Sequence, residues 1–225
     1  MGGVRLDLHV HSRFSPDSTL SIEAIASNLA SRSLTGFALT DHNTVAGHAE
    51  LARCQARFPN LILVPGVEVS TLEGHLLAYG VTETPPPRRP VVETVDWVQQ
   101  HGGVPVPAHP FRLSHGVGSA IAETVKVNVI ETMNGHNSPR ANRSAAAVAA
   151  RRHLGSTGGS DVHELSDLGR AYTEFPDGIA DLSGVLAALR AGTTRAGGGT
   201  LGLGGRARTE WRTIVLRLRR GLRPI

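Results

Sequence analysis

The chain has 225 residues, of which 40% are hydrophobic and 19% are charged, a balance that is typical of one globular domain and excludes a disordered or fibrous protein. The formal net charge of +4 is unevenly distributed, because seven arginines and one glutamate follow from residue 206 and leave 16 basic and 18 acidic residues before it. A near-neutral body excludes an extended nucleic-acid surface as a property of the whole chain.

Short β-like runs alternate with helical patterns along the chain, which is typical of βα units and a parallel sheet. Strands are predicted at Val4–His9, Gly36–Thr40, Leu61–Glu68, Leu72–Tyr79, Val104–His109, Val127–Thr132 and Gly155–Ser160. Apolar residues three and four apart predict helices at Ser21–Ser33, Val45–Ala56, Val91–His101, Asn142–Leu154 and Ser183–Ala191.

The domain organisation follows from composition. Residues 1–195 are predicted to form one domain, residues 196–205 a flexible glycine-rich loop, and residues 206–225 a basic amphipathic segment. The only cysteine, Cys54, cannot form an internal disulfide, and no stretch resembles a leader or reaches ~20 apolar residues. The sequence therefore predicts a cytoplasmic protein without a transmembrane segment.

Histidine is the unusual residue in this composition, with 11 copies. His9 and His11 are two residues apart on a predicted strand, so both imidazoles point to one face, an arrangement that suits a metal ion. Asp161 and His163 repeat that spacing after another predicted strand. The carboxylate Glu68 ends a strongly apolar run, and its burial would require a cation, which its two oxygens could share with a second one.

Nine histidines and carboxylates lie at or near the ends of successive predicted strands, where parallel α/β barrels build their active sites. The predicted metal ligands are His9, His11, Asp17, His42, Glu68, His75, His109, Asp161 and His163. Asp41, next to one of them, is expected to cap the following helix rather than to support a ligand.

The ordered motifs DLHVHS, TDHNT, PGVEVS, GHLLAYG, AHP and GSDVH resemble the PHP family, named for polymerase and histidinol phosphatase domains. The resemblance covers residues 4–175 and includes the segment LGRAYTEF. It implies a distorted seven-stranded (β/α) barrel with two or three divalent metal ions, zinc, manganese or iron, at the C-terminal ends of its strands.

The resemblance also implies how the ligands are divided. One metal would be held by His9, His11, Glu68 and Asp161, a second by Glu68, His75 and His109, and a third by Asp17, His42 and His163. Catalysis would depend on Glu68, Asp161 and His163, with a metal-bound hydroxide as the nucleophile.

Arginine is the natural clamp for a phosphate group, and three arginines lie within a few residues of the ligand motifs. Arg112 and Arg170 are preferred as substrate-binding residues, with Arg13 behind them. Glu131 and Asn134 are expected to support the site without binding metal.

The favoured function is a metal-dependent phosphoesterase that hydrolyses phosphate monoesters of a small molecule or nucleotide. A nuclease that acts on oligonucleotide ends is an alternative, although aromatic residues for base stacking make up only 4% of the chain. A non-catalytic metal-binding regulatory module is a second alternative.

The basic C-terminal segment has a helical apolar stripe of Trp211, Val215, Leu218 and Leu222. Packing of this stripe on the barrel is preferred, and contact with a membrane surface or with another subunit is the alternative.

Overall fold

A computed structural model describes residues 3–219 as an α/β fold built on a curled seven-stranded sheet. The strands are β1 (Arg5–Val10), β2 (Gly36–Leu39), β3 (Ile62–Ser70), β4 (His75–Tyr79), β5 (Val104–Pro107), β6 (Val129–Asn134), β7 (Gly155–Gly159), β8 (Ala171–Glu174) and β9 (Arg195–Gly198). The helices are α1 (Ile22–Asn28), α2 (His48–Arg57), α3 (Val91–Gln100), α4 (Gly118–Thr124), α5 (Pro139–Arg152), α6 (Leu182–Ala191) and α7 (Leu203–Arg219).

The seven-stranded sheet has the order β5-β4-β3-β2-β1-β8-β9, and β6 and β7 form a separate parallel pair. Only β1, β2 and β3 pair with one another in parallel within the large sheet, and β6 pairs in parallel with β7. The prediction of a parallel sheet is therefore wrong for β4 and β5, and β8 and β9 are likewise antiparallel to their neighbours. For β4 the reason is a short connection, since residues 71–74 alone join it to β3, and so short a link permits only an antiparallel hairpin.

The β6–β7 pair lies beside the large sheet, with β6 near β5 and β7 near β1 and β8. Gly159 allows the close approach of β7 to β1, because a Cβ at this position would lie 2.6 Å from the backbone nitrogen of His9. The Asp161 N–H donates to the His9 carbonyl (2.8 Å), and the His11 N–H donates to the Val162 carbonyl (3.2 Å). The two predicted metal-binding motifs at residues 9–11 and 161–163 are thus held side by side.

Strand β1 shows why the sequence folds in this way. Leu6 and Leu8 pack in the apolar core, whereas Asp7 and His9 make buried polar contacts. This alternation follows from the two-residue period of a strand. Asp7 accepts hydrogen bonds from the Ser160 N–H (2.8 Å) and the Gly169 N–H (3.0 Å), so its carboxylate joins β1 to the segment after β7.

The C-terminal region differs from its prediction. The glycine-rich residues 196–205 include most of β9, which pairs with β8, and the start of α7. The expected packing of the apolar stripe is wrong for Trp211 and Leu218, which are 67% and 58% exposed, whereas Val215 is half-buried and Leu222 lies outside the described residues. The face that meets the body instead carries Thr209, which is buried. Over residues 3–219, no helix has the length and apolar character needed to cross a lipid bilayer.

Candidate metal centre

The predicted ligands lie at one edge of the sheet, and the strand directions explain why. β1, β2 and β3 are parallel and end at this edge. Because β4 is antiparallel to β3, its first residue, His75, lies at the same edge opposite Ser70. β5 then ends there too, and the Ala108 N–H just beyond it donates to the His75 carbonyl (3.1 Å). Side chains that are far apart in the sequence therefore meet.

All nine predicted ligands are brought together and have side chains no more than 11% exposed. Glu68 lies at their centre. Its Oε2 is 3.2 Å from His9 Nε2, 3.1 Å from His11 Nε2 and 3.2 Å from His42 Nδ1. Its Oε1 is 2.8 Å from His75 Nδ1 and 3.0 Å from His109 Nε2. The two oxygens of one carboxylate thus face two different groups of imidazoles.

The other two carboxylates also lie between imidazoles. Asp161 Oδ1 is 3.3 Å from His11 Nε2 and 3.6 Å from His9 Nε2. Asp17 Oδ2 is 3.1 Å from His42 Nε2 and 3.2 Å from the Nε2 atom of His163. Each carboxylate therefore lies within 3.6 Å of at least two ring nitrogens.

The chemistry of these atoms fits divalent cations. Four central atoms are buried without a hydrogen-bond partner: His9 Nε2, His11 Nε2, His42 Nδ1 and Glu68 Oε2. Buried polar atoms without a partner are rare in folded proteins, and here they converge on one another. Ligand atoms of His9, His11 and Asp161 lie within 4.8 Å of one another, as do those of His42, Glu68 and His75. Mixed nitrogen and oxygen ligands suit zinc, manganese and iron.

Neighbouring residues orient the imidazoles. Glu131 Oε1 lies 3.0 Å from His9 Nδ1, and Oε2 accepts a hydrogen bond from the His109 N–H (2.6 Å). Asn134 also donates to Glu131 Oε2 (3.1 Å), as its predicted supporting position implies. Ser15 Oγ lies 3.0 Å from His11 Nδ1. This contact of Ser15 could not be predicted from the sequence, because a serine in a loop carries no distinctive pattern.

The charges in the centre are coupled. Burial by itself raises the pKa of Glu68, but His9, His75 and His42 outweigh it and hold the pKa well below its usual range. Burial by itself lowers the pKa of His11, whereas the neighbouring carboxylates of Asp161 and Glu68 raise it to about 10. The carboxylates are therefore anions, and His11 holds a proton at neutral pH when no metal replaces it.

The imidazole of His109 is neutral, in contrast to that of His11. Burial, with a further contribution from the Arg112 guanidinium, lowers the pKa of His109 to about 3. This imidazole is therefore neutral at physiological pH, the form that binds metal ions.

Two of the candidate ligands have strained backbones. His109 has φ 28° and Asp161 has φ 59°, values that are uncommon for residues with a Cβ. Such conformations cost about 1–3 kcal/mol each and cluster at functional sites. Each is held by a backbone hydrogen bond, from the His109 N–H to Glu131 and from the Asp161 N–H to the His9 carbonyl.

The centre opens into a cavity of about 720 Å³. Arg112 lies on its wall, with Nη2 2.6 Å from Asp161 Oδ2 and 2.7 Å from Asn134 Oδ1. His115 and His136 also line this cavity. His115 stacks on His75 with ring centroids 4.7 Å apart.

The other two predicted substrate-binding arginines lie elsewhere. Arg13 forms an ion pair with Glu50 (2.6 Å) at the surface, and Arg170 is exposed. Neither contributes to the wall of the cavity. Asp41 does not cap a helix, because it accepts hydrogen bonds from the Ser12 N–H (2.7 Å) and hydroxyl (2.8 Å) and so fixes the loop after β1.

Helix α7 forms another part of the cavity wall, which the sequence did not indicate. Arg206, Thr209 and Thr213 line the cavity, and the Arg206 guanidinium donates to the Asn137 carbonyl (3.3 Å). A second cavity of about 470 Å³ lies on the Trp211 side of α7 and shares Thr209 and Thr213 with the first. The helix therefore stands between two openings that both lead to the metal centre.

Comparison with known proteins agrees with this geometry. The PHP domain model matches residues 7–95, and the model of a PHP-associated region matches residues 139–194. The first match includes six candidate ligands, from His9 to His75. The second match includes Asp161 and His163.

Solved structures share the fold. PsfC from Pseudomonas syringae is 19% identical with a TM-score of 0.70, over 97% of this chain and 99% of that protein. A protein from Bifidobacterium adolescentis assigned as a metal-dependent phosphoesterase is 20% identical with a TM-score of 0.62, over 89% of this chain and 98% of that protein. The lesion-specific endonuclease EndoQ from Pyrococcus furiosus is 16% identical with a TM-score of 0.63, over 87% of this chain and 58% of that enzyme.

Proposed function

Because the chain belongs to the PHP family, we propose that it is a metal-dependent phosphoesterase that hydrolyses phosphate monoesters of a small molecule or nucleotide. One observation carries this proposal: buried nitrogen and oxygen atoms without hydrogen-bond partners converge around Glu68, beside a cavity that an arginine lines. Metal ions, water and an anionic substrate would meet at that point.

The proposal includes two or three divalent metal ions. His9, His11, Glu68 and Asp161 would hold one, Glu68, His75 and His109 a second, and Asp17, His42 and His163 a third. The two oxygens of Glu68 face different imidazole groups, which supports a bridging role. Bound cations would supply an activated water and stabilise negative charge on the phosphoryl oxygens.

The charge balance favours an anionic substrate. Three divalent ions would carry a charge of about +6, and the three carboxylates would return −3, while neutral imidazoles add nothing. Glu68, Asp161 and His163 are the residues on which catalysis would depend. Burial by itself raises the pKa of Asp161, but His9 and Arg112 keep it well below its usual range, so this ligand stays charged.

Arg112 would bind the phosphate group. Its Nε donates to Asn137 Oδ1 (3.0 Å), and its Nη2 is held by Asp161 and Asn134. Among residues 3–219, no group pairs with Nη1, which leaves this donor available for a phosphoryl oxygen. The planar guanidinium is thus oriented by three polar side chains before substrate arrives.

The first test of the proposal is phosphate release by metal-loaded protein from a panel of phosphomonoesters, with metal content measured on the same samples. Glu68→Gln and Asp161→Asn are expected to abolish release and to lower metal content. Glu23→Gln is the matched control, because Glu23 pairs with Arg57 at the surface. Undiminished turnover in either site variant would overturn the assignment.

The same panel separates the alternatives. Cleavage of oligonucleotide ends without release of phosphate from monoesters would favour a nuclease. Stoichiometric metal binding without either activity would favour a regulatory module.

A second experiment tests the arginine. Arg112→Lys is expected to raise KM about 10- to 100-fold with metal content maintained, because an ammonium cannot reproduce the oriented guanidinium. Arg170→Lys and Arg53→Lys, both at exposed positions, are expected to leave KM unchanged. An unchanged KM in Arg112→Lys would remove this residue from the substrate site.

A further inference from the structure

Helix α7 presents an apolar face to solvent. Leu203, Trp211, Ile214 and Leu218 are 80%, 67%, 51% and 58% exposed, and Ala207 between them is exposed as well. These five residues, the exposed α7 face, follow one another at spacings of three or four, so they lie on one side of the helix. A helix of a globular protein normally buries such a side.

The exposed α7 face is unusual for this chain. Seven large hydrophobic side chains are exposed among the described residues, and four of them belong to this one helix. A fifth, Leu113, is fully exposed and lines the cavity of the metal centre together with Leu203 and Ile214. The apolar surface therefore continues from the helix to the mouth of that cavity, and a patch of this kind marks an interaction site.

Positive charge borders one side of this face, and Glu210 lies on the other. Arg208 and Arg219 are 11 residues apart, close to three helical turns, so they lie on the same side of α7, next to Trp211. Both are exposed, and neither forms an ion pair or hydrogen bond with any residue in the part of the chain that the structure describes. The sequence adds Arg220 and Arg223 directly after them.

We propose that the exposed α7 face binds an anionic lipid surface. The apolar side chains would lie at the boundary between headgroups and acyl chains, with the tryptophan at the interface. Arg208 and Arg219 would contact lipid phosphates. Since Leu203 and Ile214 line both the face and the cavity, the bound protein would hold the mouth of the metal centre next to the headgroups.

Charge favours a lipid surface over a second copy of this chain. A symmetric contact through the exposed α7 face would bring the unpaired arginines of two copies together in a poorly solvated interface, where like charges repel. Lipid phosphates supply the opposite charge. The segment from residue 206 onward has seven arginines and one glutamate, a composition that an anionic surface attracts.

The test is sedimentation of the full chain with vesicles of phosphatidylcholine alone or with about one third phosphatidylglycerol, at low and physiological salt. The protein is expected to bind the phosphatidylglycerol vesicles and to dissociate as salt is raised. Trp211→Ser with Ile214→Ser is expected to lower the partition coefficient more than about tenfold. Leu72→Ser with Val92→Ser removes two exposed apolar side chains elsewhere and should leave it unchanged.

A matched pair of double variants tests the electrostatic contribution to vesicle binding. Arg208→Glu with Arg219→Glu is expected to lower binding more than about 20-fold, since each arginine near the surface contributes about fivefold. Arg53→Glu with Arg89→Glu changes the net charge equally at exposed positions outside α7 and should have a much smaller effect. Equal losses in the two pairs would mean that net charge, not this face, governs binding, and would overturn the proposal.

Fluorescence gives a local readout. The chain has two tryptophans, so Trp97→Phe leaves Trp211 as the only one. Its emission is expected to shift to shorter wavelength on addition of phosphatidylglycerol vesicles. An unchanged spectrum, equal binding to phosphatidylcholine, or no binding at all would overturn the proposal. So would a lipid-free dimer that the Trp211→Ser, Ile214→Ser variant converts to monomer.

Discussion

Glu131 determines which nitrogen of His9 carries the proton, and Glu131→Gln should therefore weaken metal binding. The carboxylate accepts hydrogen bonds from the His109 N–H (2.6 Å) and from Asn134 (3.1 Å), and Oε1 faces His9 Nδ1 at 3.0 Å. Because an ionised carboxylate can only accept, a neutral His9 must carry its proton on Nδ1. Its Nε2 lone pair then faces Glu68 and the other ligands.

Glutamine reverses this arrangement. Its amide must turn its oxygen to the His109 N–H, a donor that cannot lose its proton, so its NH₂ group faces His9 Nδ1. The proton of His9 would then move to Nε2, the atom that a metal needs. Loss of such an orienting partner weakens metal affinity about 10- to 100-fold, or about 1.4–2.7 kcal/mol.

The measurement is competition between the protein and a chelator of known affinity, with Glu174→Gln as control because Glu174 pairs with Arg5 away from the centre. Nitrogen chemical shifts of the His9 ring report the tautomer directly. Metal affinity within about twofold of the unsubstituted protein, or a proton retained on Nδ1, would refute the reasoning.

Three further predictions concern folding and protonation. Gly159→Ala should lower the free energy of unfolding by at least about 1–3 kcal/mol, because the new Cβ would overlap His9. Gly202→Ala places its Cβ in open space and should change the free energy of unfolding little, so equal denaturation midpoints for the two variants would contradict this prediction. Tyr79→Phe should lower it by about 1 kcal/mol, since the buried hydroxyl donates to the Leu8 carbonyl (2.8 Å), and urea denaturation of the two proteins measures the difference. Zinc binding should release protons and should strengthen as pH rises from 6 towards the raised pKa of His11, about 10. Calorimetry in buffers of different ionisation enthalpy measures this release, and a binding enthalpy that is the same in all buffers would contradict the prediction.

The local part of the site could be predicted from the sequence. His9 and His11 share a face because of the two-residue period of a strand, and Glu68 was identified because a carboxylate that ends an apolar strand needs a partner. These properties belong to single segments of chain. They remain valid whichever strands become neighbours, and the strand directions then bring the nine residues to one edge of the sheet.

Properties that depend on neighbouring elements could not be predicted in this way. Strand direction depends on which strands become neighbours: β8 pairs antiparallel with β1, which is far away in the sequence, and no pattern within either segment indicates that pairing. Proximity in sequence also failed for arginines. Arg13 lies two residues after His11 but extends to Glu50 on α2, whereas Arg112 turns inward because Asn134, Asn137 and Asp161 accept its hydrogen bonds.

The exposed α7 face shows the same distinction in another form. An apolar stripe at helical spacing indicates that one side of a helix avoids water, but it does not say what covers that side. The sequence alone favoured the body of the protein, because most such stripes are buried in a core. In the structure the body contacts the opposite side of α7, through Thr209, so the stripe needs a different partner.

Strain and unpaired polar atoms coincide at the metal centre, and this coincidence has an energetic meaning. The strained backbones of His109 and Asp161 oppose folding of the metal-free chain, and so does the burial of the Glu68 charge, which its contacts with His9 and His11 offset in part. The apolar core and the hydrogen bonds that hold these residues must offset that cost without help from a cation. Because the candidate ligands are already in place in the metal-free chain, metal ions would bind there without further reorganisation. Such preorganisation is the condition for high affinity and for a fixed catalytic geometry.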